Sequence, residues 1–115
     1  MKLEGTGKLL RIFVGGSDRH GIQPLYTAIV EKARAFGIAG ATVFKGIEGF
    51  GAHSVVHAAR VFDLSTDLPV LIEIVDTEEK IRAFLPELDP IVSEGLMTLQ
   101  TIEVVRYMAG EPKNG

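Results

Sequence analysis

The run from Pro69 to Val75 carries branched aliphatic residues on both sides of an extended chain, with Glu73 as its only charge. A strand of that kind suits a sheet covered on both faces, because a strand with one wet face alternates apolar with polar residues. Lys8 to Val14 repeats the pattern. Leu10, Ile12 and Val14 fall on one side, Leu9, Arg11 and Phe13 on the other, and Gly15-Gly16 stops the run. A chain of 115 residues makes one domain with one core, expected to span 1–115, so the question it sets is what lies against each side of these strands.

Helical segments supply the cover for one side. Pro24 suits the first position of a helix and Gly37 its stop, and Leu25, Ala28, Ile29, Ala33 and Phe36 recur between them as one apolar stripe. A second helix is expected after Asp76, which with Glu79 three residues on makes a capping-box pattern. Its stripe of Ile81, Phe84, Leu85, Leu88, Ile91 and Val92 runs towards Gly95, kinked or divided by Pro86 and Pro90, each of which removes a backbone donor. Further strands are expected over Ala41–Ile47 and Leu99–Tyr107. Residues 52–66 read as a mobile loop leading into a strand, although the Ala58-Ala59 pair also tolerates a helical turn.

The order strand, helix, strand, long loop, strand, helix, strand gives an α+β fold. The expectation is a ferredoxin-like βαββαβ sandwich, a four-stranded antiparallel sheet with two helices on one face. Helices on one face leave the other bare, yet the central strands are apolar on both. A symmetric oligomer is the simplest cover for the second face.

Composition narrows the function. With 46% hydrophobic and 23% charged residues the chain is an ordinary globular one and not a disordered one. Twelve basic against fifteen acidic residues give a net charge of −3, so the electrostatics that drive nucleic-acid binding lack a basic patch. The absence of cysteine excludes thiolate zinc sites and thiol catalysis and suits a reducing compartment. No apolar run approaches the ~20 residues that span a bilayer, and the expected location is the cytoplasm, without direct membrane insertion. Nothing has the pattern of an activated nucleophile, a phosphate-binding P-loop or paired catalytic carboxylates, so no enzymatic activity is expected.

Three places remain as candidate sites. Gly49-Phe50-Gly51 offers either a backbone nest for an anion or a glycine turn with Phe50 as a packing anchor. Ser17-Asp18-Arg19-His20 precedes the first helix, where a helix N-terminus favours anions, or else is a solvated loop. His53 and His57, four apart, would align on a helix for a metal, with His20 or Glu73 to complete the set. Glu73 itself, in an apolar strand, would act as an acid or base or face an arginine of a subunit partner.

Several segments together resemble the PII-like signalling proteins, in particular the PII-like family called domain of unknown function one-ninety. They are Leu10-Arg11-Ile12, Ser17-Asp18-Arg19, Pro24-Leu25-Tyr26, Gly37 to Val43, Gly49-Phe50-Gly51, Leu68-Pro69-Val70 through Val75, and Arg106 with Gly110-Glu111. The resemblance implies a homotrimer of ferredoxin-like subunits, ligand clefts between neighbours, and a long flexible loop after the second strand. In PII proteins a Gly-Phe-Gly segment at the base of that loop, a lysine-containing loop before the last strand, and arginines near its end hold ATP or ADP. Gly49-Phe50-Gly51 matches the first element, and Arg106 matches one arginine. Ala52-His53, Gly95-Leu96 and Met108 stand where the other charged groups are expected, so the usual set of phosphate contacts is incomplete.

The resulting expectation is a trimeric regulator that binds an adenine nucleotide or small anionic metabolite between subunits. Gly49, Gly51, His53 and Arg106 would line the cleft, with Asp18 and Arg19 beside it, and residues 49–66 would signal to a protein target. The alternative is a divalent-cation-binding trimer resembling the cation-tolerance protein CutA, with His53 and His57 as ligands. A structural interaction module without a small ligand is the third reading.

Overall fold

A computed structural model describes residues 2–51, 57–58 and 68–108. Four long strands and two helices follow one another as β1 (Lys2–Gly15), α1 (Leu25–Phe36), β2 (Gly40–Lys45), β3 (Pro69–Asp76), α2 (Glu78–Leu88) and β4 (Leu96–Met108). The four strands make one antiparallel sheet in the order β2-β3-β1-β4. This is the ferredoxin-like βαββαβ arrangement, with β1 and β3 at the centre. The strands run further than the sequence pattern suggested at both ends of β1 and at the start of β4. Two short ladders lie outside the sheet, Arg19–His20 with Gln23–Pro24 and Glu48–Gly49 with His57–Ala58.

Register decides which residues share a face. Leu10, Ile12 and Val14 of β1 stand opposite Ile74, Ile72 and Val70 of β3, and all six are buried. They form one core with Leu25, Ile29 and Ala33 of α1 and Ile81, Phe84 and Leu88 of α2, so both helices cover the same face. The Phe36 and Phe84 rings meet tilted at 5.4 Å between centroids, and the Lys80 ammonium lies 5.3 Å from the Phe36 centroid. The apolar stripes read from the sequence are therefore the stripes that pack.

The helix ends follow from local chemistry, with three departures from the sequence reading, the first being that Pro24 stands just before α1 and not at its first position. Gly37 closes α1 in the left-handed region at φ 89°, and Ile38 N–H returns to the Ala33 carbonyl, as anticipated for a glycine stop. Thr77, not Asp76, caps α2: its hydroxyl accepts from the Lys80 N–H. Asp76 instead ends β3 as a buried carboxylate that accepts the Ala39 N–H at 2.8 Å and the Thr77 N–H at 2.7 Å. The helix accommodates Pro86 but ends at Leu88, because Pro90 has no N–H to continue the ladder. Ile91 and Val92 lie beyond the helix and still pack against the core from the following turn.

On the surface of α2, Arg82 donates to Glu78 at 2.9 Å, and Lys8 lies 3.9 Å from the same carboxylate. The bonded Arg82 guanidinium first, and the Lys8 charge second, hold the Glu78 carboxyl below its ordinary value. A lowered folded value means that the stabilisation is present above the unfolded value and fades as pH falls through the folded one. An NMR titration is expected to place the Glu78 midpoint below that of an ordinary glutamate, and Arg82→Gln is expected to move it up.

Candidate functional site at one end of the sheet

One end of the sheet gathers the glycine-rich segments. Gly46 N–H donates to the Pro69 carbonyl at 2.7 Å, and Gly16 N–H donates to the Leu68 carbonyl at 2.8 Å, so the turns after β1 and β2 are both tied to the entry of β3. A Cβ on Gly49 would come within 2.9 Å of the Pro69 ring, which explains glycine there as a close approach. Gly95 reaches the same end of the sheet from the other side. Its φ is +137°, and a Cβ on it would stand 2.6 Å from the Phe13 carbonyl oxygen.

Phe50 is 71% exposed, so within one chain it is not the packing anchor that the glycine-turn reading required. Gly51 lies beside it at the surface. Gly49 pairs with His57 across the short ladder, which fixes the far side of the loop close to its base. His57 therefore occupies an extended segment. His53 lies outside the described residues, as do the rest of the loop at 52–56 and 59–67 and the terminal segment with Gly110-Glu111.

Asp18 and Arg19 are held by their own loop. The Asp18 carboxylate accepts the Gly15 N–H at 2.9 Å, and its carbonyl accepts the N–H of Leu25, the first residue of α1. The Arg19 guanidinium donates to the Ile22 carbonyl and closes a small hairpin whose tip carries Ile22, 94% exposed. Both residues thus shape the approach to α1, close to the Gly49 end.

Arg106 is elsewhere. It lies near the far end of β4, a strand of 13 residues that spans roughly 40 Å. Val105 and Arg106 fall in a bulge, since Val104 faces Gly5 while Tyr107 already faces Leu3. A bulge re-aims side chains at such a point. Arg106 is exposed, and the neighbouring Tyr107 hydroxyl donates to the Ala39 carbonyl, anchoring that end of β4 to the turn before β2. One chain therefore brings Gly49, Gly51 and Asp18 to one end of the sheet and leaves Arg106 at the other.

The second face of the sheet holds a pair that the sequence reading did not join. Arg11 stands opposite Glu73 on the two central strands, and its Nε donates to Oε2 at 3.0 Å. Within the chain, the glutamate meets Arg11, a pair that the expectation of a subunit partner did not include. Only the antiparallel register, invisible in either segment alone, shows the pair. Leu9, Phe13, Leu71 and Val75 surround it, half-buried, with Phe44 and Leu96 more exposed towards the edges.

A model of the DUF190 family, described as Uncharacterized ACR, matches residues 7–104. The chain belongs to DUF190. Among its relatives, a UPF0166 protein of Aquifex aeolicus is 41% identical over 98 residues, covering 85% of this chain and 92% of that protein. The DUF190 chain has the PII-like fold: CPII of Thiomonas intermedia K12, a nitrogen regulatory PII-like protein bound to ADP, AMP and bicarbonate, superposes with a TM-score of 0.65. That match covers 90% of this chain and 91% of CPII at 18% identity. CutA1 of Oryza sativa shares the fold more distantly, with a TM-score of 0.54 at 12% identity over 94% of this chain and 85% of that one. Among the described residues no group of three His, Asp or Glu side chains is placed to hold a metal, and no helix is long and apolar enough to cross a membrane.

Proposed function

We propose that this chain is a non-enzymatic, cytoplasmic PII-like regulator that works as a homotrimer and binds an adenine nucleotide, with or without a small anion such as bicarbonate, between its copies. Gly49, Gly51 and His53 of one copy would form one wall of the cleft, with Asp18 and Arg19 shaping its edge. Arg106 of the neighbouring copy would form the other. Occupation would order residues 49–66, which then meet or release a protein target.

The observation that carries this reading is the separation of Arg106 from Gly49 along the sheet, which a neighbouring copy can close and a single chain cannot. The half-buried apolar residues of the second sheet face support the assembly, since they become dry only against another surface. The ligands held by CPII suggest the class of molecule. With no lysine at Gly95-Leu96, phosphate recognition would rest on main-chain N–H groups and on Arg106.

Isothermal titration with ADP, AMP and ATP, with and without bicarbonate, tests this. Saturable binding is expected, weakened roughly 10- to 100-fold in Arg106→Ala by loss of one charge-assisted contact. Co-expression of Arg106→Ala with Gly49→Val is expected to recover part of the binding that each variant lacks alone, because some clefts then combine two intact halves. Absence of binding to every nucleotide, or unchanged binding in Arg106→Ala, overturns the proposal.

A further inference from the structure

Between the two central strands, on a sheet face where Leu9, Phe13, Leu71 and Val75 lie beside the polar Thr42, Thr98 and Gln100, the Arg11–Glu73 pair stands with its side chains 40% and 27% exposed. An ion pair in contact with water contributes little to the stability of a single chain, and a covered sheet face would be drier and better packed with two aliphatic residues there. Its position makes more sense in an interface, where a charged pair surrounded by apolar contacts penalises every arrangement that leaves either charge unmatched. Resting on the assembly reading above, we propose that Arg11 and Glu73 are the polar key of the contact between copies of this chain, fixing how one sheet face is rotated against the next.

Charge identifies the occupant as another copy. The face carries one cation and one anion side by side, so it presents no net charge to select an acidic or a basic protein. In a closed trimer, Arg11 of each copy can meet Glu73 of the next and Glu73 of each copy can meet Arg11 of the one before, so copies of this chain supply the complementary pattern to one another. Bonding capacity remains for it. A guanidinium has five N–H donors and a carboxylate about four acceptor positions. Among the described residues, the Nε–Oε2 bond at 3.0 Å and the long Nη1 contact to Gln100 Oε1 at 3.5 Å engage only part of that capacity. Gln100 extends the polar strip onto β4, opposite Leu9, so the key crosses three adjacent strands while Phe13, Leu71 and Val75 flank it.

The test compares four proteins by light scattering and sedimentation across a micromolar dilution series: the natural chain, Arg11→Glu, Glu73→Arg, and the double exchange Arg11→Glu/Glu73→Arg. Each single reversal places like charges together and is expected to raise the dissociation constant of the assembly at least about tenfold. The double exchange restores both the pair within the chain and the contacts between chains, and is expected to return it to within about threefold. Single variants that assemble as the natural chain does, or a folded double exchange that stays dissociated, overturn the proposal. If a single reversal fails to fold by circular dichroism, Arg11→Gln/Glu73→Gln replaces it. That variant keeps the polarity of both side chains without the charges, and unchanged dissociation in it overturns the proposal equally. A natural chain that is monomeric throughout the series removes the assembly itself, and with it both this inference and the shared ligand cleft.

Discussion

Phe84→Ala is expected to lower the free energy of unfolding by about 3–5 kcal/mol, the range for truncating a fully enclosed aromatic residue. Phe84 has no exposed surface, and it is held between Phe36 at the end of α1 and the strand residues beneath α2. Urea unfolding at one fixed protein concentration, so that assembly contributes equally, should show a lower midpoint with an unchanged slope. Phe50→Ala supplies the contrast. With 71% of its surface already in solvent, truncation there is expected to change stability by less than about 0.5 kcal/mol. Equal losses at the two positions would mean that α2 does not pack as described.

The two phenylalanines also show how far the sequence could be read. Phe84 belongs to a stripe whose helical period states its own burial, and the same holds for Leu25, Ile29 and Ala33 on α1 and for the alternation of Leu10, Ile12 and Val14 on β1. Periodic local signals of this kind gave the βαββαβ order and the covered face. Phe50 sits among glycines with no period around it, so its exposure had no signature. The pairing of Arg11 with Glu73 was hidden for another reason, since it depends on a register between strands about sixty residues apart. Asp76 departs from its expected role because an acid before a helix has the pattern of a cap, whereas its bond to Ala39 depends on how α1 returns to the sheet. The position of Arg106 in a bulge is equally a product of pairing, because the extra residue exists only relative to Leu3 and Gly5 on β1.

Asp76→Ala is expected to cost about 3 kcal/mol or more, although no apolar contact is lost. The carboxylate accepts two backbone N–H groups, from Ala39 and Thr77, and removing it leaves both donors without their acceptor at a buried point. The damage should spread along a defined path. Ala39 is also the residue whose carbonyl takes the Tyr107 hydroxyl, so the turn that Asp76 holds in place is the turn that anchors the end of β4 beside Arg106. Hydrogen exchange is therefore expected to accelerate at the Ala39 and Thr77 amides and at the paired ends of β1 and β4, while the centre of β3 stays protected. Tyr107→Phe, which cuts the path at its last bond, should cost only about 1 kcal/mol and loosen the β4 end alone. Asp76→Asn keeps one side-chain acceptor and should fall between the two. Unchanged exchange at Ala39 and Thr77 in Asp76→Ala would show that the carboxylate does not hold this junction, and Arg106 would then owe its placement to the β1–β4 ladder alone.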